Sequence, residues 1–146
     1  MLEIELEKTY LAKMLPEGLE NFPRKEIIDV YIPADEAHPC LRLRKKGDRY
    51  EITKKEPVKE GDASAQSEYT IRLTEKEFNA LAVVKGKRTR KTRYEYIYQG
   101  NKAEIDIFED DLKGLVLVDF EFIDAKKKHT FATPDFCLID VTQDKT

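Results

Sequence analysis

From Met1 to Ala12, Leu2, Ile4, Leu6 and Tyr10 alternate with Glu3, Glu5, Glu7 and Thr9, the period of a strand with one apolar and one polar face. The same period returns along the chain. Ile27 to Ile32 is an apolar run that Pro33 ends. Cys40 to Lys46 sets Leu41 and Leu43 against Arg42, Arg44 and Lys46; Gly47-Asp48 turns the chain, and Tyr50 to Lys55 returns with Tyr50 and Ile52 opposite Glu51, Thr53 and Lys55. Gln66 to Leu73 separates Tyr69, Ile71 and Leu73 from Gln66, Glu68, Thr70 and Arg72. In Arg88 to Tyr98, three tyrosines (Tyr94, Tyr96, Tyr98) oppose Lys91, Arg93 and Glu95. In Lys102 to Phe108, Ala103, Ile105 and Ile107 oppose Glu104 and Asp106, and in Leu115 to Ile123, Val116, Val118, Phe120 and Phe122 oppose Asp119 and Glu121. This predicts eight strands, seven of them with a charged face beside an apolar one.

The connections carry their own signals. Met14 to Leu19 reads as a turn with one short helical turn, and Pro33 to Pro39 as a loop whose His38 is read as a residue without a functional role. Pro57 through Ala65, rich in Gly, Ser, Asp and Lys, predicts a long polar loop. Thr74-Glu75-Lys76-Glu77 matches a capping box that starts an amphipathic helix through Phe78, Leu81 and Ala82, closed by Gly86. Gln99-Gly100-Asn101 joins two long strands. Asp124 caps a short helix through His129, and Pro134 breaks into a tail.

Charge changes this picture. The 146 residues are 40% hydrophobic and 38% charged with a net charge of only -3, so residues 1-146 are read as one domain whose charge is segregated locally. That balance argues against a nucleic-acid partner. Whole strands are cationic or anionic: the first carries three carboxylates about 7 Å apart on one side, a repulsive set that calls for a metal ion or facing cations. Closing eight antiparallel strands with their charged faces inward gives a barrel or tunnel with a charged lumen, its apolar outside covered by a few short helices and loops. Cys40 and Cys137 have no metal or redox spacing and are read as reduced core thiols. No apolar run is long enough for a signal peptide or membrane span, so a soluble, cytoplasmic protein without a membrane partner is expected.

With these residues assembled, the chain resembles the CYTH family, the triphosphate tunnel metalloenzymes. The family's opening E-x-E-x-K and following aromatic is met by Glu5, Glu7 and Tyr10, with Thr9 at the lysine position and Glu3 placed near the tunnel mouth; Lys8 has the wrong parity to substitute. The L-R-x-R element is Leu41-Arg42-Leu43-Arg44, T-x-K is Thr53-Lys54-Lys55, and K-x-R-Y is Lys91-Thr92-Arg93-Tyr94. Of R-x-E-x-E only Glu68 is kept, between Gln66 and Thr70. The E-x-D element is Glu104-Ile105-Asp106, V-E-x-E becomes Val118-Asp119-Phe120-Glu121, and V-T-x-D is Val141-Thr142-Gln143-Asp144, after which the family's C-terminal helix is missing.

The resemblance implies a metal-dependent hydrolase of inorganic triphosphate or a related triphosphate. It assigns catalytic work to Glu5, Glu7, Lys55 and Arg93, phosphate binding to Arg42, Arg44, Lys55, Lys91 and Arg93, and Mg²⁺ or Mn²⁺ to Glu5, Glu7, Asp119 and Glu121. Glu68, Glu104 and Asp106 are expected to line the tunnel as well. Thiamine triphosphatase and adenylate cyclase activities are alternatives within the family, and a degenerate module that binds nucleotide or polyphosphate without turnover is another. The expected partner is a small triphosphate or nucleotide, and the expected state is a monomer or homodimer.

Overall fold

The computed structural model describes residues 2–144; the Glu3 side chain, which the sequence placed near the tunnel mouth, lies outside the described residues. Eight antiparallel strands close into a barrel: β1 (Leu2–Ala12), β2 (Arg24–Ile32), β3 (Leu41–Lys46), β4 (Arg49–Lys59), β5 (Asp62–Leu73), β6 (Lys87–Tyr98), β7 (Asn101–Phe108) and β8 (Val116–Phe122). The ring runs β1, β5, β4, β3, β2, β6, β7, β8 and back to β1. The expected eight-stranded barrel is therefore present. A ninth strand, β9 (Cys137–Asp140), adds to the C-terminal half of β1, where the sequence predicted only a tail. No described helix is long and apolar enough to cross a membrane.

The strand register follows the alternation. In β1, Glu5 and Glu7 face the lumen, and even residues Leu6, Tyr10 and Ala12 pack outside with Ile105, Val118, Phe120 and Phe122. Around them a layer of rings (Tyr96, Tyr98, Phe131, Phe136) meets edge to face, Tyr98 lying 5.5 Å from Phe136 and 6.0 Å from Phe120. This outer core is held on by α2 (Ala125–Thr130), whose cap is the Asp124 carboxylate accepting from Lys127 N–H at 2.8 Å. On the opposite side Val30, Leu43 and Phe78 form a second buried cluster under α1 (Glu75–Leu81). The predicted capping box is there, with Thr74 Oγ1 accepting from Glu77 N–H at 3.1 Å and Glu77 Oε1 from Thr74 N–H at 2.8 Å.

Two connections differ from expectation. Pro57 to Ala65 is no loop: β4 runs to Lys59, β5 starts at Asp62, and only Glu60 and Gly61 turn. Pro57 is tolerated because the ladder shifts register between Pro57 and Lys59, where a missing N–H costs little. Gly86 does not close α1, which stops at Leu81 with Ala82 as its cap. The glycine is needed for space instead: a Cβ there would lie 2.6 Å from Val30 Cγ1 and 2.7 Å from the Tyr31 carbonyl oxygen. At Gln99-Gly100 both residues take positive φ, 49° and 78°, as a two-residue hairpin turn requires.

Candidate active site

Because the barrel strands turn their charged parity inward, a cavity of about 350 Å³ opens along the axis. Glu5, Glu7, Arg42, Arg44, Lys55, Glu68, Lys91, Arg93, Glu104, Asp106, Asp119 and Glu121, the residues assigned above to catalysis, phosphate, metal and tunnel lining, border it, joined by Tyr31, Lys46 and Glu51. Lys46 and Glu51 share the inward parity of Arg44 and Lys55, as the alternation of their strands predicts. Glu95 does not join its neighbours Lys91 and Arg93; it borders an adjacent cleft of about 320 Å³ with Phe22 and Tyr96.

Register decides which charges meet. Asp29 of β2 stands directly across from Arg44 of β3, and the guanidinium makes a fork on it, Nε–Oδ1 2.7 Å and Nη2–Oδ2 2.8 Å, with both side chains buried. Burial opposes the Asp29 charge, but Arg44 outweighs it and holds the carboxyl below its ordinary range. Across β6 and β7, Arg93 makes the same fork on its cross-strand partner Asp106, at 2.8 and 2.9 Å, and reaches Glu104 at 3.2 Å. Lys91 Nζ adds 2.7 Å to Asp106. Burial is opposed there too, and the two cations bring Asp106 down to about 2. Lys55 Nζ lies 2.8 Å from Glu5 and 3.6 Å from Glu7.

Of the five cations expected to face phosphate, four are thus already engaged by carboxylates. Arg42 is not. It forms no ion pair among the described residues, and its buried Nε has no hydrogen-bond partner. An orphaned, charged donor inside a cavity is costly unless a ligand accepts from it.

The acids are crowded in the opposite sense. Glu7 stands directly across from Glu121, and Glu104 across from Asp119, like charges that repel on neighbouring strands. Burial first, with Asp119, Glu5 and Glu121 adding to it against Lys55, pushes Glu7 up to about 7. Burial with Glu104 and Glu5 nearby raises Glu121, and burial with Glu5 nearby raises Glu68. Asp119 is also raised by burial, although the Thr9 hydroxyl, at the position of the family's lysine, donates a short hydrogen bond to it. Glu5 goes the other way, because Lys55 overcomes the effect of burial. Lys8, as its parity requires, sits on the outer face near the Phe131 carbonyl.

Six cations and eight carboxylates border the cavity, so any polyanion entering it meets an excess of negative charge. Carboxylates crowded across neighbouring strands, with Lys55 the ammonium between Glu5 and Glu7, present hard oxygen donors of the kind that Mg²⁺ and Mn²⁺ take. Among the described residues no three His, Cys, Asp or Glu side chains come together closely enough to hold a metal ion by themselves. Mg²⁺ commonly keeps waters and is shared between one or two carboxylates and substrate phosphates, so it does not need such a group.

The CYTH domain model matches residues 2–133 of the chain. An inorganic triphosphatase of Nitrosomonas europaea is 33% identical over 144 residues, covering 97% of this chain and 91% of that protein. A crystal structure of an inorganic triphosphatase superposes with a TM-score of 0.69 at 28% identity, over 97% of this chain and 88% of the other. A putative adenylate cyclase of Bacillus halodurans shares the fold at 18% identity, with a TM-score of 0.64 over 88% and 85% of the two chains. A family match over most of the chain, the closed barrel and an inward polar lining drawn from every barrel strand lead to one assignment: this chain belongs to the CYTH domain family.

Proposed function

We propose that the protein hydrolyses inorganic triphosphate with the help of Mg²⁺ or Mn²⁺, by attack of water on a terminal phosphoryl group within the lumen. The observation that carries this reading is Arg42, a half-buried cation whose buried Nε has no partner, facing a cavity in which the other candidate cations are already paired. Its relatives among inorganic triphosphatases supply the substrate.

Arg42 binds the phosphate chain first, since no carboxylate has to be displaced. Lys91 and Arg93 share Asp106, and Arg93 also reaches Glu104, so the pairs hold their angles fixed while a phosphate oxygen can take the spare N–H bonds of both cations. Arg44, neutralised by Asp29, orients the wall and offers its remaining donors. Lys55 is held between Glu5 and Glu7 and can swing its ammonium from them to a phosphate. Glu5, Glu7 and Glu121, with Asp119 in support, are the residues that would hold the divalent ion. When bound, that ion supplies charge neutralisation across adjacent phosphates and polarisation of the scissile phosphoryl group. A carboxylate of this acidic set that is left free of the ion would accept the proton of the attacking water.

The test is phosphate release from triphosphate, ATP and thiamine triphosphate, with Mg²⁺, with Mn²⁺ and with EDTA. Release from triphosphate that requires the metal is expected, with the organic triphosphates slower. Tight triphosphate binding without release would make the protein a binding module; no binding and no release would remove the proposal.

A further inference from the structure

Behind the acidic wall, the barrel is not closed by strands alone. On its side away from β8, β1 pairs with β5 as far as Leu6 and with β9 from Tyr10, which leaves Glu7 to Thr9 between the two partners. Residues Val141 to Asp144 fill that gap. Val141 N–H donates to the Thr9 carbonyl at 2.7 Å, and Thr142 Oγ1 accepts from Thr9 N–H at 3.0 Å. The hydroxyl's own proton goes to Asp140 Oδ1 at 2.5 Å, and the same oxygen takes Thr142 N–H at 2.8 Å. With its proton so committed, the hydroxyl can only present a lone pair to Thr9. Gln143 ties the far side: Oε1 accepts from Ala63 N–H at 2.8 Å, and Nε2 donates to Asp62 Oδ1 at 2.9 Å. Side chains of Thr142 and Gln143 therefore stand in for the backbone of a missing stretch of strand.

Thr9 is where this strap meets the lumen. Its main chain is held from outside by Val141 and Thr142, while its hydroxyl holds Asp119 from inside. Asp119 stands across from Glu104 and borders the cavity. A shift of Thr9 along or away from β1 would carry the Asp119 carboxylate with it.

We infer that Thr142, oriented by Asp140 and braced by Gln143, is a positioning residue that sets the Asp119 carboxylate in the lumen through Thr9. The inference rests on the triphosphatase reading only for its kinetic arm. A strap that served stability alone would lower the melting temperature when cut and leave Asp119 and turnover below that temperature as they were.

The experiment uses the full chain and the variants Thr142→Val, which keeps the shape but loses the acceptor, and Thr142→Ser, which restores it. Three quantities are read: amide hydrogen exchange at Thr9, the carboxyl ¹³C resonance of Asp119, and steady-state phosphate release from triphosphate with Mg²⁺. In Thr142→Val, Thr9 exchange is expected to accelerate about tenfold and the Asp119 resonance to move. Its kcat should fall about tenfold with KM within about twofold, because small misplacements of a lumen group act on turnover. Thr142→Ser should return all three. A folded Thr142→Val with an unmoved Asp119 resonance and unchanged kcat overturns the inference. Should Thr142→Val not fold, Gln143→Ala loosens the strap from its far side and is judged by the same readouts. If the wild-type protein releases no phosphate, the triphosphatase reading fails, and the Asp119 resonance still decides the positioning role.

Discussion

Arg42 and Arg44 lie two residues apart on one strand and face the same cavity, yet they should respond to alanine in opposite ways. Arg44 is forked on the buried Asp29, so Arg44→Ala strands a carboxylate with almost no exposure to water. Breaking a buried pair from one side costs about 3–5 kcal/mol. At about 3 °C per kcal/mol for a chain of this size, the ligand-free protein should melt about 10–15 °C lower. Arg42 has no ion pair to lose and its Nε is unpaired, so Arg42→Ala should leave the ligand-free melting temperature within about 3 °C of wild type. Its effect should appear on ligand binding: losing one desolvated cation against phosphate costs about 1.5–3 kcal/mol, or about 10- to 150-fold in Kd for triphosphate. Differential scanning calorimetry without ligand and titration calorimetry with triphosphate and Mg²⁺ read the two effects apart. The double variant Asp29→Asn/Arg44→Ala should regain part of the stability, because the stranded charge is gone. If Arg44→Ala melts like wild type, or if Arg42→Ala binds triphosphate as wild type does, the division of labour between the two arginines is wrong.

Glu7 gives a pH signature. The folded protein holds it at about 7 against an ordinary 4.5, so the stability gained from its protonated form is full below pH 4.5 and is lost as pH climbs through 7. Metal-free Glu7→Gln should therefore exceed wild type in stability by up to about 3 kcal/mol at pH 8 and by little at pH 4.5, while losing phosphate release; equal gaps at both pH values would refute the assignment. Gly86→Ala, which forces a Cβ to 2.6 Å from Val30 and 2.7 Å from the Tyr31 carbonyl, should cost about 1–3 kcal/mol in urea denaturation, and an unmoved midpoint would contradict the packing described. Thr9→Lys should keep a hold on Asp119 through an ion pair and add a cation to the lumen, raising turnover of triphosphate; a kcat no higher than wild type would show that Thr9 is not a weakened lysine site.

What the sequence revealed and what it hid divide along a physical line. Parity is a property of one strand, so the inward set from Glu5 to Glu121 could be read without knowing which strands are neighbours. Pairing is a property of two strands in register. The forks of Arg44 on Asp29 and Arg93 on Asp106 depend on which residues stand across a ladder, and alternation within a strand does not contain that. Asp29 was further masked by its setting, since Ile27-Ile28-Asp29-Val30-Tyr31-Ile32 reads as a continuous apolar run. Its signal was a lone carboxylate two residues from Tyr31, on the parity opposite to the buried Val30. β9 was missed because Cys137 to Asp140 is too short to show a period and follows a proline. The 57–65 stretch was misread because its Gly, Ser and Asp residues are common in loops, whereas here a long hairpin needs only a two-residue turn at its tip.

The ion pairs also explain how a barrel with its charges inside stays folded before any ligand arrives. Cations on β3 and β6 meet acids directly across the ladder, and these forks fix the walls at the level of Asp29 and Asp106. Along β8 and the facing half of β1 the register does the reverse, setting Glu7 opposite Glu121, so repulsion there is relieved only in part by Lys55. One region of the lumen is thus neutralised by the protein itself, and another keeps acids whose charge burial disfavours. A triphosphate alone would worsen the second region, and a divalent cation alone would do nothing for the orphaned donor of Arg42. Bound together they satisfy both, so triphosphate and Mg²⁺ should each raise the other's affinity, a coupling that titration of either in the presence of the other measures directly. Independent binding of the two would mean that the acidic and cationic walls do not share one ligand.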